Sequence, residues 1–201
     1  MKNNTTLFFC GLLWLTSCNQ RPREMPVEKT GQEAKVPFQS NSSIYQLPGS
    51  WTTQDKKTIT LHDLQGKVAV LAMIFTHCQY ACPKITADMQ NMESQIPEGK
   101  RNKVSFVLVS FDAVRDSSEQ LKIFYDSMKL NQHWTLLHGS DHQVRELSVL
   151  LNVSYKNGGN GIYAHSNIIT VLDTMGVILF QQEGLNKHTN DIVKFIMNTI
   201  R

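Results

Sequence analysis

The chain has 201 residues, of which 41% are hydrophobic and 18% charged, with a formal net charge of +3. That composition lets one domain of ordinary size bury a real core. Basic and acidic residues are interspersed without a dense Lys/Arg stripe, which excludes nucleic acid as the expected partner.

Residues 1–17 read as a secretory leader: Lys2 near the start, an apolar run over residues 7–15, then Thr16 and Ser17. The run is far short of the roughly 20 residues that a spanning helix needs. Leu15-Thr16-Ser17-Cys18 resembles a bacterial lipobox, which makes Cys18 the expected lipidation site and places the mature protein outside the cytosol on a membrane surface. Cys10 lies in the part to be removed. Residues 18–43 hold Pro22, Pro26 and Pro37 among charges, Gln, Ser and Asn, without apolar periodicity, and read as a tether.

The domain is expected over residues 44–201. Residues 45–51 and 57–61 read as two short strands of an entry hairpin, followed by a turn at 64–67. Residues 68–75 are almost wholly apolar, the mark of a central strand covered on both faces. A helix to about residue 95 follows, then a second buried strand at 104–110. An amphipathic helix at 117–128 presents Leu121, Phe124, Tyr125 and Met128. A short strand is expected at 134–137 and a helix at 141–151, with Val144, Leu147, Val149, Leu150 and Leu151 inward. Strands at 167–172 and 177–181 flank the turn Asp173-Thr174-Met175-Gly176, and a last helix at 189–200 carries Ile192, Ile196 and Ile200 on one stripe. Strands alternating with helices predict an α/β three-layer sandwich. Trp134 and the scattered methionines read as core.

Cys78 and Cys82 fall where a buried strand ends and a helix begins. The free N–H groups and partial positive charge of a helix N-terminus favour thiolate, and thiolate is both the nucleophile of disulfide exchange and a metal ligand. The i, i+4 spacing predicts both sulfurs on one helical face, with Pro83 tolerated in the first turn. Two such thiolates suit Cu(I), with Zn(II) as the competing metal. The alternative is a structural disulfide or a pair of buried thiols, although a bridge over so short a loop would stabilise little.

Seven histidines could add a third ligand. His77 adjoins Cys78, but neighbours in extended chain point apart. His165 lies in a glycine-rich loop, residues 158–166, just before a strand. In a thioredoxin-like sheet that loop meets the start of the cysteine helix. Thioredoxin-fold oxidoreductases carry a cis-proline there, yet the last of the six prolines here is Pro97. Imidazole is a good copper ligand, so His165 is the candidate.

Three segments in order resemble the Sco/SenC family of copper chaperones in cytochrome c oxidase assembly. They are Phe75-Thr76-His77-Cys78…Cys82-Pro83, then Val109-Ser110-Phe111-Asp112-Ala113-Val114-Arg115-Asp116, then Tyr163-Ala164-His165-Ser166 followed by a strand and Asp173-Thr174-Met175-Gly176. The resemblance runs from about residue 45 to the C-terminus. The family usually has Pro-Asp where Gln79-Tyr80 stand, and often proline at Ala113. The resemblance implies an extracytoplasmic thioredoxin-like fold with an N-terminal hairpin extension. It also implies copper held by Cys78, Cys82 and His165, and delivery to the copper centre of the oxidase. Asp112 and Asp116 are candidates to orient a ligand or a partner from the same end of the sheet, beside the simpler reading of a loop cap.

The expected function is a copper metallochaperone. An extracytoplasmic thiol–disulfide reductase acting through the Cys78–Cys82 dithiol is the alternative. A peroxidase of the peroxiredoxin kind is a third reading; it needs a threonine and an arginine beside the thiol, and only Thr76 stands close in sequence.

Overall fold

The computed structural model describes residues 43–159, 162–185 and 189–200. The leader, Cys10, Cys18, the tether up to residue 42 and His188 lie outside the described residues. No helix among the described residues is long and apolar enough to cross a membrane.

Residues 45–51 do not form the expected strand. Ile44–Gln46 is a 3-10 turn whose Ser43 side chain accepts from the Tyr45 N–H, and Pro48 and Gly49 interrupt the chain before β1 (Trp51–Thr53). This strand pairs antiparallel with β2 (Thr58–Ile59), so the entry hairpin exists but is shorter than its residue pattern suggested. The 3-10 turn is tied instead to a distant turn: the Ile44 N–H donates to the Gly176 carbonyl at 2.9 Å.

β3 (Val68–Ile74) has all seven residues buried, as a strand covered on both faces must. It leads into α1 (Ala81–Gln95), which is followed by the short α2 (Glu98–Arg101) and by β4 (Val104–Ser110). Next come α3 (Ser118–Ser127), β5 (Trp134–His138) and α4 (Asp141–Leu150). Ser117 and Ser140 cap α3 and α4 by accepting from the backbone N–H groups of Gln120 and Gln143. A small separate hairpin, β6 (Tyr155–Asn157) with β7 (Tyr163–His165), precedes β8 (Ile168–Leu172), β9 (Ile178–Glu183) and α5 (Asn190–Thr199).

The main sheet has the order β2-β1-β5-β4-β3-β8-β9. β3, β4 and β5 are parallel neighbours, while β8 runs antiparallel to β3. The crossovers β3–α1–β4 and β4–α3–β5 step the same way along the sheet, and right-handed connections place α1 and α3 on one face. α1 also contacts α5 there. This is the α/β three-layer, thioredoxin-like architecture with a hairpin added at its start.

Trp134 stacks on Phe106 with centroids 4.9 Å apart, and its Nε1–H donates to the buried Glu93 of α1 at 2.7 Å. Met73, Met89 and Met92 are buried, but Met175 is half exposed on the β8–β9 turn. Val149, expected to face inward, is 76% exposed. Val144, Leu147 and Leu151 keep the i, i+3, i+7 stripe, and Val149 falls off it.

Candidate metal site

Segment 75–80 leaves β3 and enters α1 at Ala81, so Cys78 lies just before the helix and Cys82 in its first turn. The two sulfurs therefore meet across a loop-to-helix junction and not on one helical face. The Cys82 N–H donates to Cys78 Sγ at 3.3 Å, which makes that sulfur an N-terminal cap of α1. The Phe75 N–H points at Cys82 Sγ, 3.4 Å away. Both thiols are free; Cys82 is fully buried and Cys78 is partly exposed.

The two cysteines titrate as a pair. A hydrogen bond from the Cys82 thiol, aided by the backbone N–H groups of Cys82 and Tyr80 and by His165, holds Cys78 down to about 4. Cys82 is pushed up, first by sharing its proton with Cys78 and then by burial. Cys78 is thus the thiolate and Cys82 the proton holder.

His165 stands at the end of β7, opposite Tyr155, and not in an open loop. The unread hairpin had a signal: two tyrosine-bearing triplets around a run rich in Gly and Asn, with Gly159 at φ +87°. His165 Nδ1–H donates to the Ser166 carbonyl at 3.1 Å, which turns Nε2 toward the cysteines, 3.9 Å from Cys82 Sγ. The ring sits edge-on to Phe75 and against Phe111, with centroids 6.0 and 5.1 Å away.

The ligand atoms of Cys78, Cys82 and His165 all lie within 4.8 Å of one another. Three donors around one ion at ordinary metal–sulfur and metal–nitrogen distances stand about 3.5–4 Å apart. Only a small closure separates the present geometry from that, and two sulfurs with one imidazole suit a soft ion. His77 turns away, with Nδ1 3.2 Å from Thr76 Oγ1 and 3.6 Å from Asp116 Oδ1.

Asp112 is buried, and its carboxylate accepts from the Arg115 backbone N–H and from Arg115 Nε. The fold also brings Arg115 over the rings of Phe75 and Tyr163, 5.9 and 5.7 Å from their centroids, an arginine that sequence distance concealed. Its Nε is engaged by Asp112, and the Thr76 hydroxyl donates to Asp116 at 2.6 Å. The pair that a peroxidase would aim at the thiol is committed to carboxylates.

The SCO1/SenC family model matches residues 40–198. The SCO1 protein homolog of Bacillus subtilis (strain 168) is 27% identical over 169 residues, covering 81% of this chain and 84% of its own. A SCO1/SenC family lipoprotein from Bacillus anthracis str. Ames is 29% identical with a TM-score of 0.70, over 76% of this chain and 93% of that one. The copper-bound ScoI of Arabidopsis thaliana shares the fold at a TM-score of 0.68 and 22% identity, over 77% of this chain and 96% of that one. With the family match running over residues 40–198 and two cysteines and a histidine gathered at one end of the sheet, the chain belongs to the SCO1/SenC family.

Proposed function

We propose that this protein is a copper metallochaperone that binds the ion through Cys78, Cys82 and His165 and delivers it to the copper-centre subunit of cytochrome c oxidase. The observation that carries the reading is the convergence of two sulfurs and one imidazole nitrogen, from segments 83 residues apart, within 4.8 Å. A relative with the same fold holds copper, and another is described as one of the Sco family of cytochrome c oxidase assembly proteins. Copper is cargo here. Cys78 enters as thiolate, Cys82 gives up its proton on binding, and His165 offers Nε2. A recipient's thiolates or imidazoles then displace these ligands stepwise. Asp112 acts by holding Arg115 over the rings of Phe75 and Tyr163.

In this reading residues 1–17 are a lipoprotein signal peptide, Cys18 carries the lipid, residues 18–43 are the tether, and the domain of residues 44–201 works outside the cytoplasm. A signal-like leader and the Bacillus anthracis lipoprotein relative support it.

The test is anaerobic copper titration of the reduced protein, wild type beside Cys78→Ser and His165→Ala. The wild type should bind one equivalent. Each variant should lose more affinity than the roughly 10–100-fold typical of residues that merely support a ligand. Unchanged stoichiometry and affinity in His165→Ala would defeat the assignment.

The polarised thiol pair favours a second reading, a thiol–disulfide reductase. The Cys78 thiolate would attack a partner disulfide, and Cys82, losing its proton, would resolve the mixed disulfide, leaving a Cys78–Cys82 bond and two thiols on the partner. Rapid turnover of a disulfide substrate by metal-free wild type and by His165→Ala alike would favour it.

A further inference from the structure

The carboxylate of Asp116 touches no sulfur in the scheme above, yet its side chain is wholly buried beside the cysteine segment. Oδ2 accepts the Thr76 backbone N–H at 2.9 Å and the Ser110 hydroxyl at 2.6 Å, and Oδ1 accepts the Thr76 hydroxyl at 2.6 Å. Ser110 is the last residue of β4, and its Oγ in turn accepts the Asp112 N–H at 3.0 Å. The Asp116 N–H closes the loop on the Asp112 carbonyl at 3.0 Å.

One carboxylate thus pins the end of β4 to a residue two positions before Cys78. The stretch from Phe75 to Tyr80 belongs to no helix or strand. Fixing each residue of such a stretch costs about 1–2 kcal/mol in conformational entropy, so its geometry depends on tethers of this kind. The three groups that hydrogen-bond to the Asp116 carboxylate are all donors, and an acceptor-only side chain satisfies all three at once, with His77 Nδ1 3.6 Å from Oδ1 beside them.

We propose that Asp116 is a positioning residue: through Thr76 it holds the Cys78 segment where its thiolate can share an ion with His165. The consequence for copper rests on the function proposed above; the consequence for Cys78 itself does not. The chemistry predicts a graded series. An asparagine can place its amide NH2 at the Oδ1 position, where the Thr76 hydroxyl can turn round and accept, but a backbone N–H cannot turn, so its oxygen must stay at Oδ2. Asp116→Asn therefore keeps part of the tether and Asp116→Ala none. Thr76→Ser keeps both bonds to Asp116, whereas Thr76→Val keeps only the backbone one.

The experiment measures two quantities on the whole reduced protein: copper affinity by competition with a chelator, and the alkylation rate of Cys78 by iodoacetamide without metal, read from the mass of the peptide carrying it. We expect Asp116→Ala to lose about 10–100-fold in affinity, and its Cys78 rate to change several-fold. Asp116→Asn should fall between it and wild type, and Thr76→Ser should behave as wild type while Thr76→Val falls between wild type and Asp116→Ala. A folded Asp116→Ala with wild-type affinity and wild-type alkylation would overturn the proposal. Should Asp116→Ala fail to fold by circular dichroism, the Thr76 pair decides, and identical behaviour of Val and Ser overturns it. If the wild type binds no copper, the copper function falls, and the alkylation rates alone still decide the role of Asp116.

Discussion

Cys78 and Cys82 have the same side chain and opposite tendencies. Cys78 Sγ caps a helix and receives a backbone N–H, whereas Cys82 is buried and keeps the shared proton. This gives a pH prediction for the metal-free reduced protein. An ordinary thiol, with a pKa near 8.5, loses about tenfold in alkylation rate per unit below that value. Cys78, held down to about 4, should react at a nearly constant rate from pH 8 to pH 5. A tenfold fall per unit between pH 8 and 6, followed by peptide mass, would refute the assignment. The sign for stability is the same: a thiol depressed on folding favours the fold fully above its unfolded value, and that contribution disappears as the pH falls to about 4. The imidazole is oriented as locally: its Nδ1–H donates to the Ser166 carbonyl, and Nε2 faces the sulfurs.

Among the elements, the 3-10 turn at Ile44–Gln46 and the β8–β9 turn depend on each other. Gly176 has φ +82°, and a Cβ there would stand 2.5 Å from the Tyr45 ring. The left-handed backbone alone costs a residue with a side chain about 1–2 kcal/mol. Gly176→Ala should therefore destabilise the protein by more than that, measured by denaturant unfolding, while copper stoichiometry at the other end of the sheet stays at the wild-type value. A loss under 1 kcal/mol would mean that the turn relaxes. The β6–β7 hairpin does the opposite job, since it exists to place one ring. Phe75, Phe111 and Tyr163 pack on one another with centroids 5.2–5.3 Å apart and form the wall that orients His165.

For the whole molecule, chemistry and location are separable. Cys18 belongs to the segment proposed as leader and tether, and the ligands all belong to the folded domain. Cys18→Ser should shift the protein from the membrane fraction to the soluble extracytoplasmic fraction while leaving copper stoichiometry unchanged. Retention in the membrane fraction would remove the lipid anchor from the account. A site assembled from segments 83 residues apart also completes its three-donor set only when folded, because the unfolded chain keeps the histidine away from the cysteines.

Much of this was legible from residue order. β3 is an unbroken apolar run and β4 holds one from Phe106 to Val109, both short enough to read as central strands; α3 announces itself by stripe and cap, α5 by its stripe. Cys78 and Cys82 were readable because only three residues separate them, so local geometry keeps their sulfurs near each other wherever the chain goes. Tertiary structure decided everything that depends on distant approach. The Gly-rich run read as a loop is a hairpin because Tyr155 and Tyr163 find Phe111. The 3-10 turn forms because Gly176 is waiting for Tyr45. Arg115 and Asp116 reach the site only because β4 lies beside β3. The residue pattern of this protein determined which side chains could bind a soft metal; the pairing of strands far apart along the chain determined which of them meet, since hydrophobic periodicity records burial and carries no record of who the neighbour is.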